Sequence, residues 1–179
     1  MKDRGSAPLR GDMTHSPPTS IKSQVDRPSM PSGYGIKPPA EGLGLLSWEF
    51  LSTRMERAHN YWLVTTSANG LPHAAPVWGL WHGDAFYFST DPSSRKGRNI
   101  ALGRQVVVHL ESGDEVAIVE GHPERVQENE LLDELDALYF LKYAFHLRGT
   151  PTYRVLPAKA FAWLEADFTG SATRWCLRA

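Results

Sequence analysis

The sequence predicts a mainly β protein, a closed antiparallel barrel with helices at its rim. Three observations carry that expectation. Apolar residues gather in short runs rich in aromatic and β-branched side chains, Gly- and Asp-containing turn pairs separate those runs, and no regular strand-helix alternation suggests a doubly wound sheet. Length and composition agree: 179 residues lie near the prior for one domain, and 41% apolar content with six Trp suffices for one core.

Residues 1–42 are a different material. They hold seven of the thirteen prolines, many Ser and Gly, and only scattered apolar residues, too few to offset the entropy of ordering. The expectation is a disordered Pro-rich N-terminal tail over 1–42 and one folded domain over 43–179. The tail lacks the apolar stretch of a secretory signal. It carries six Lys/Arg and four Asp/Glu, which leaves 13 against 16 for the body, from totals of 19 and 20. A net charge of −1 gives no footprint of a nucleic-acid binder, and no apolar run approaches the roughly 20 residues that span a bilayer. One cysteine, Cys176, excludes an intrachain disulfide and multi-cysteine zinc motifs. The expected setting is cytoplasmic, with neither nucleic acid nor membrane as partner.

Taken in order, the body opens with Trp48, Leu51 and Met55 at helical spacing behind the N-cap candidate Ser47. Tyr61–Thr66 reads as a strand, and Asn69-Gly70 as a type I′ hairpin turn into a second strand, His73–Trp81. That strand is apolar on both faces, which suits a barrel interior or a subunit interface. Pro76 implies an edge or bulge there, and Gly79 a close approach by a ligand. Gly83-Asp84 turns the chain into the aromatic strand Ala85–Phe88.

The stretch Ser89 to Ile100 then concentrates donor chemistry. Hydroxyls at Ser89, Thr90, Ser93 and Ser94 precede three cations, Arg95, Lys96 and Arg98. Ser93 or Ser94 after Pro92 predicts a helix start, which puts the cations in a first turn where the dipole disfavours them by roughly 0.3–1 kcal/mol each. A bound phosphate would offset that. By composition alone, a solvated basic helix face is the alternative. The short helix runs from about Arg95 to Leu102, followed by a strand over Gln105–Leu110, a turn at Ser112-Gly113-Asp114 and a strand over Val116–Val126. An amphipathic helix over Asn129–Phe145, stopped by Gly149 and Pro151, precedes short extended segments near Tyr153–Leu156 and Ala160–Glu165 and a tail through Arg174 and Trp175.

Seven histidines show no paired ligand spacing on one helix, and His82 and His109 read as structural. Neither a Gly-x-x-x-x-Gly-Lys-Ser/Thr loop nor a Gly-x-Gly-x-x-Gly after a strand occurs. No metal and no catalytic side chain is expected.

The run from Trp62 to Glu120 resembles the split-barrel family typified by pyridoxamine 5′-phosphate oxidase, most closely its flavin/deazaflavin oxidoreductase branch. The match is carried by Asn69-Gly70-Leu71-Pro72-His73, Pro76-Val77-Trp78, Phe86-Tyr87-Phe88-Ser89-Thr90 and Ser94-Arg95-Lys96-Gly97-Arg98-Asn99, with Ala172-Thr173-Arg174-Trp175 near the C-terminus. The resemblance implies a split antiparallel β-barrel, FMN-binding-protein-like, forming a homodimer with a flavin-type cofactor at the interface. Arg95 and Lys96 match the family's phosphate-binding pair, with Ser89, Thr90, Ser94 and Arg98 around the same phosphate. Pro76, Val77 and Trp78 match the strand along the ring system. Trp163 and Arg174 match late residues that reach the cofactor across the interface.

Ala75 and Leu80 stand where vitamin-pathway oxidases carry Arg and Lys, which shifts the expectation toward the deazaflavin coenzyme F-420. Its anionic tail would explain any role for Arg54 or Arg57, which otherwise read as solvated helix charges. The implied activity is hydride transfer from the reduced deazaflavin to a small conjugated acceptor, the cofactor carrying the chemistry. The alternatives are an FMN-dependent oxidoreductase or a non-catalytic flavin- or haem-binding module. Trp78 and Trp81 are candidates for the cavity wall, or else barrel core.

Overall fold

The structure, a computed structural model, describes residues 22–178. The chain runs β1 (Lys22–Asp26), α1 (Trp48–Arg57), β2 (Tyr61–Thr66), β3 (Pro72–Val77), β4 (Gly79–His82), β5 (Ala85–Ser89), α2 (Arg95–Ile100) and β6 (Val106–His109). It continues through β7 (Glu115–Arg125), α3 (Asn129–Tyr143), β8 (Thr152–Leu164), α4 (Phe168–Ser171) and β9 (Thr173–Arg178). All strand pairs are antiparallel, in the order β1-β9-β8-β7-β6-β2-β3, with β5 on β8 and β4 on β5.

The long strand β8 is the pivot of this sheet. Thr152–Val155 pair with β5 while Lys159–Ala162 pair with β9, and β7 follows β8 along its other edge with a register shift at Glu120/Gly121. The ring β3-β2-β6-β7-β8-β5-β4 is therefore hydrogen-bonded everywhere except between its first and last members. Those two are joined covalently through Trp78 alone. The closed barrel expected from the strand pattern is thus corrected to a sheet that is not closed, split at Trp78 between the end of β3 and the start of β4.

Inside the ring, Leu63, Phe86, Phe88, Val108, Val119, Val155 and Trp175 pack with Leu51 and Met55 of α1. A second cluster sets Leu135 and Tyr139 of α3 against Leu80, Ala85 and Tyr87. Alternation on β2, buried at Tyr61, Leu63 and Thr65, is what one inward face requires. Trp81 is core: it is 6% exposed and its Nε1 donates to Ser52 Oγ at 2.9 Å, so it walls no open cavity. An ideal Cβ on Gly79 would stand 2.4 Å from the Phe86 ring, so this glycine admits a core aromatic and not a ligand.

Several expectations change at the chain ends and turns. Residues 22–42 were expected within the tail, but β1 pairs with β9 and Arg27 is buried, donating to the carbonyls of Lys37, Pro38, Glu41, Gly44, Gly170 and Ala172. Ordering here comes from tertiary hydrogen bonds rather than local apolar content. Residues 1–21 of the expected tail lie outside the described residues. The segment through Arg174 and Trp175 is strand β9, and the two late extended segments are one strand. The first hairpin is not type I′: Gly70 alone has positive φ, Gly70 N–H donates to Ser67 O and Ser67 N–H to Leu71 O, a longer loop with the glycine at its left-handed position.

Candidate functional site

Helix α2 is built as its residue types dictate. Ser94 is the N-cap, and its Oγ accepts from Gly97 N–H at 3.0 Å. Thr90, buried at the end of β5, places Oγ1 3.1 Å from Ser94 Oγ. One O–H of that pair satisfies the other oxygen, so the pair retains a hydroxyl hydrogen for a further acceptor. Asp91 accepts from Ser93 N–H and Oγ, which closes the turn and holds the Asp91 carboxyl below the usual range. Gly97 is obligatory, because a Cβ there would lie 2.3 Å from Asp91 O and 2.8 Å from Pro92 Cα.

The helix is docked by Asn99. Its buried Nδ2 donates to Thr65 Oγ1 at 2.9 Å, and Thr65 Oγ1 reaches His73 O at 3.4 Å across the β2-β3 ladder. Arg95 is exposed and Lys96 half-buried beside that ladder, and among the described residues neither has a hydrogen-bond or ion-pair partner. Arg98 differs: its guanidinium turns back onto Ser93 O. Arg95, Arg98, Asn99, Ser67, Ala68 and Leu102 line a cavity of about 370 Å³.

His73 of β3 belongs to this corner and was not singled out for it by sequence. Its Nδ1 is buried without a partner. Desolvation, then Arg95, then Lys96 hold its pKa below the ordinary value. The available signal was register, since His73 stands opposite Thr65, the residue that anchors α2.

The other expected site residues are distributed as follows. Ser89 lies at the end of β5, donating to Pro151 O at 2.9 Å. On β3, Pro76 is exposed, whereas the Val77 side chain is 8% exposed and belongs to the core, so that side chain offers no surface to a ligand. Trp78, 44% exposed, stacks on Tyr143 at 4.9 Å with Phe145 and His59 edge-on. Trp163 sits near the end of β8 against Phe168 at 5.7 Å, and Arg174 on β9 has a buried Nε with no partner. Neither lines the cavity beside Arg95.

Beneath Trp78 a polar knot ties α3 to the split. Lys142 Nζ donates to Tyr61 Oη at 2.8 Å and Gly79 O at 3.1 Å, and the single O–H of Tyr143 is shared between His59 O and Gly79 O. Desolvation brings Lys142 down to about 8 and pushes Tyr61 and Tyr143 up. A larger cleft of about 920 Å³ lies between the end of α1 and the β6-β7 turn. There Arg54 pairs with Glu115 at 2.9 Å and stacks over Phe50, while Arg57 is exposed. Among the described residues no group of His, Cys, Asp and Glu is placed to hold a metal, and no helix is long and apolar enough to cross a membrane.

Comparison with known proteins adds a family and a fold. A family model described as pyridoxamine 5′-phosphate oxidase matches residues 49–168, well over half of the chain. No curated protein sequence matches. Among solved structures, a conserved hypothetical protein of Mycobacterium tuberculosis is similar with TM-score 0.59 and 20% identity, over 66% of this chain and 85% of that one. The FAD binding protein of Mycobacterium smegmatis gives TM-score 0.52 and 19% identity, over 73% and 97%. A haem-binding protein of the same organism gives 0.53 and 15%, over 70% and 62%. At such identities the likeness is one of fold, the split antiparallel barrel.

Proposed function

Because the chain belongs to the pyridoxamine 5′-phosphate oxidase family, we propose that it is an oxidoreductase holding the deazaflavin coenzyme F-420 by its phosphate at Arg95 and Lys96. The acceptor is a small conjugated molecule, and the working unit is a homodimer. One observation carries the reading: two cations without partner anions among the described residues stand beside a hydroxyl pair with hydrogen-bonding capacity to spare.

The residues fit a phosphorylated flavin-type group. Arg95 offers a planar fork and Lys96 a point charge, both suited to phosphate oxygens. Thr90 and Ser94 supply the remaining donor, with Ser89 at the strand end and Arg98 bracing the turn through Ser93 O. Pro76 and the Val77 backbone form a flat, donor-poor edge on which a ring can lie, and Trp78 rims it. When bound, a reduced deazaflavin supplies the hydride. The chain's own residues bind, orient and exclude water. Strands β3 and β4 hold no Lys or Arg, so nothing on them would fix a phosphorylated amine substrate, and an uncharged acceptor is favoured. Trp163 and Arg174, away from the cavity within one chain, would serve the partner's cofactor.

Equilibrium titration of the purified protein with coenzyme F-420, FMN, FAD and haem tests this. The expected result is tightest binding of F-420, weakened by about 1.5–3 kcal/mol in Lys96→Ala, the scale of a charge-assisted hydrogen bond. Reduced F-420 should then turn over an enone or quinone. Preference for FMN with turnover points to the flavin-dependent oxidoreductase, and a haem Soret band without turnover to a binding module like the haem-binding relative. Lys96→Ala with unchanged affinity for every candidate would remove the site altogether.

A further inference from the structure

We propose that His73 is a ligand-contacting residue of the Arg95-Lys96 corner, donating from Nε2–H to the bound anion. This deepens the reading above and rests on it, since it assumes that the corner takes a phosphate.

The argument starts from where the ring's two nitrogens lie. Nδ1 is buried and has no partner. Nε2 is neither buried nor hydrogen-bonded to any described residue, so it is the edge that faces out. A neutral imidazole carries one N–H and one bare lone pair, and its partners decide which nitrogen has the proton. An orphaned N–H in an interior is rarer than an under-used acceptor. The buried Nδ1 is therefore the bare nitrogen, and the proton sits on Nε2.

Neutrality has a structural cause. The charges acting on the ring are Arg95 and Lys96 of α2, while β2 presents the uncharged Thr65 opposite it. These cations disfavour a third positive charge, so the corner presents a neutral donor. A phosphate bound between them cancels their field and favours the imidazolium. Binding is then linked to proton uptake at His73, and affinity rises as pH falls toward the ordinary histidine range.

His73 is placed for this by the backbone. It stands across the ladder from Thr65, the hydroxyl that anchors Asn99 of α2, so one hydrogen-bond chain fixes the His73 backbone and the helix that carries both cations in a common frame.

The test uses the full-length protein, with FMN and coenzyme F-420 as probes and riboflavin as the phosphate-free control. His73→Phe should weaken FMN and F-420 about tenfold or more, the fold-change of losing one hydrogen bond to a charged acceptor, and leave riboflavin unchanged. His73→Gln, which retains an amide N–H near the Nε2 position, should recover most of the loss. Nitrogen-15 spectra of His73 should show the Nε2–H tautomer in the free protein and protonation shifted to higher pH by F-420, whose phosphodiester does not itself titrate there. Wild-type binding of F-420 that is sensitive to Lys96→Ala but unmoved by His73→Phe, with unchanged nitrogen shifts, overturns the inference and leaves the cofactor reading standing. Failure of wild-type protein to bind either phosphorylated probe overturns both.

Discussion

Lys142 makes the most direct prediction available at a single residue. Desolvation lowers its pKa from 10.5 to about 8, so the folded state releases this proton well before the unfolded chain does. Between those values the unfolded chain binds more protons, and stability rises with pH from about 8 upward. The rise ends near pH 10, because Tyr139, pushed up to about 12, and Tyr61 and Tyr143, also raised, keep in the folded state protons that the unfolded chain gives up. At the acidic end, burial would raise Asp136, but hydrogen bonds from His146 and Leu147 N–H with the charges of His146 and Arg148 leave it lowered. That contribution is lost as pH falls through its depressed value. Lys142→Met strands no partner, since Tyr61 Oη still donates to Met55 O and Gly79 O still accepts from Tyr143. The variant should match or exceed wild type at pH 7 by up to about 1 kcal/mol, discounted because the ammonium is half-exposed. Its urea midpoint should lose the rise between pH 8 and 10, and a midpoint that keeps it would acquit Lys142.

Among the elements, α2 shows how a short helix can be specified by contacts rather than propensity. Gly97 lets the helix press on the Asp91-Pro92 backbone, and both obstructing groups are main chain, so a Cβ there forces the helix away from its turn. Gly97→Ala should destabilise by about 1–3 kcal/mol as an overpacked contact, and in doing so swing Arg95 and Lys96 from His73. Thermal unfolding and F-420 titration together check it: loss of affinity without loss of stability would mean that the helix adapts. Much of this element was legible beforehand. A cap at Ser93 or Ser94 and a helix from about Arg95 follow from local chemistry, and the structure selects Ser94, whereas the docking of Asn99 on Thr65 joins residues 34 positions apart and has no local mark. The same contrast explains β1. Its residues, Lys-Ser-Gln-Val-Asp, carry one apolar side chain, and the arm behind it is held by a guanidinium bound to carbonyls, partners that every residue possesses. Periodicity could find the aromatic strands β2 and β5 but not a strand recruited by β9.

At the scale of the whole molecule, the split leaves a sheet with an unpaired edge. Among the described residues β3 has only β2 beside it, and the chain there turns Ala74, Pro76 and then Trp78 outward. Close by, α3 and its following turn expose Phe140, Leu141 and Phe145 at 46%, 81% and 58%. An open edge with apolar side chains invites association, and its two prolines bar simple strand addition, which favours packing of faces instead. The proposed homodimer would meet this demand, and it would also give Trp163 and Arg174, which do not line the cavity beside Arg95 in their own chain, a route to the proposed cofactor. Light scattering should therefore give twice the 20.0 kDa of one chain. Leu141→Glu, at a position too exposed to affect folding, should shift the population toward monomer and weaken F-420 in parallel, because the partner's share of the site leaves with the partner. A variant that becomes monomeric yet binds the cofactor as before would show that one chain completes the site, and a wild-type protein that is monomeric at tens of micromolar would sink the dimer itself.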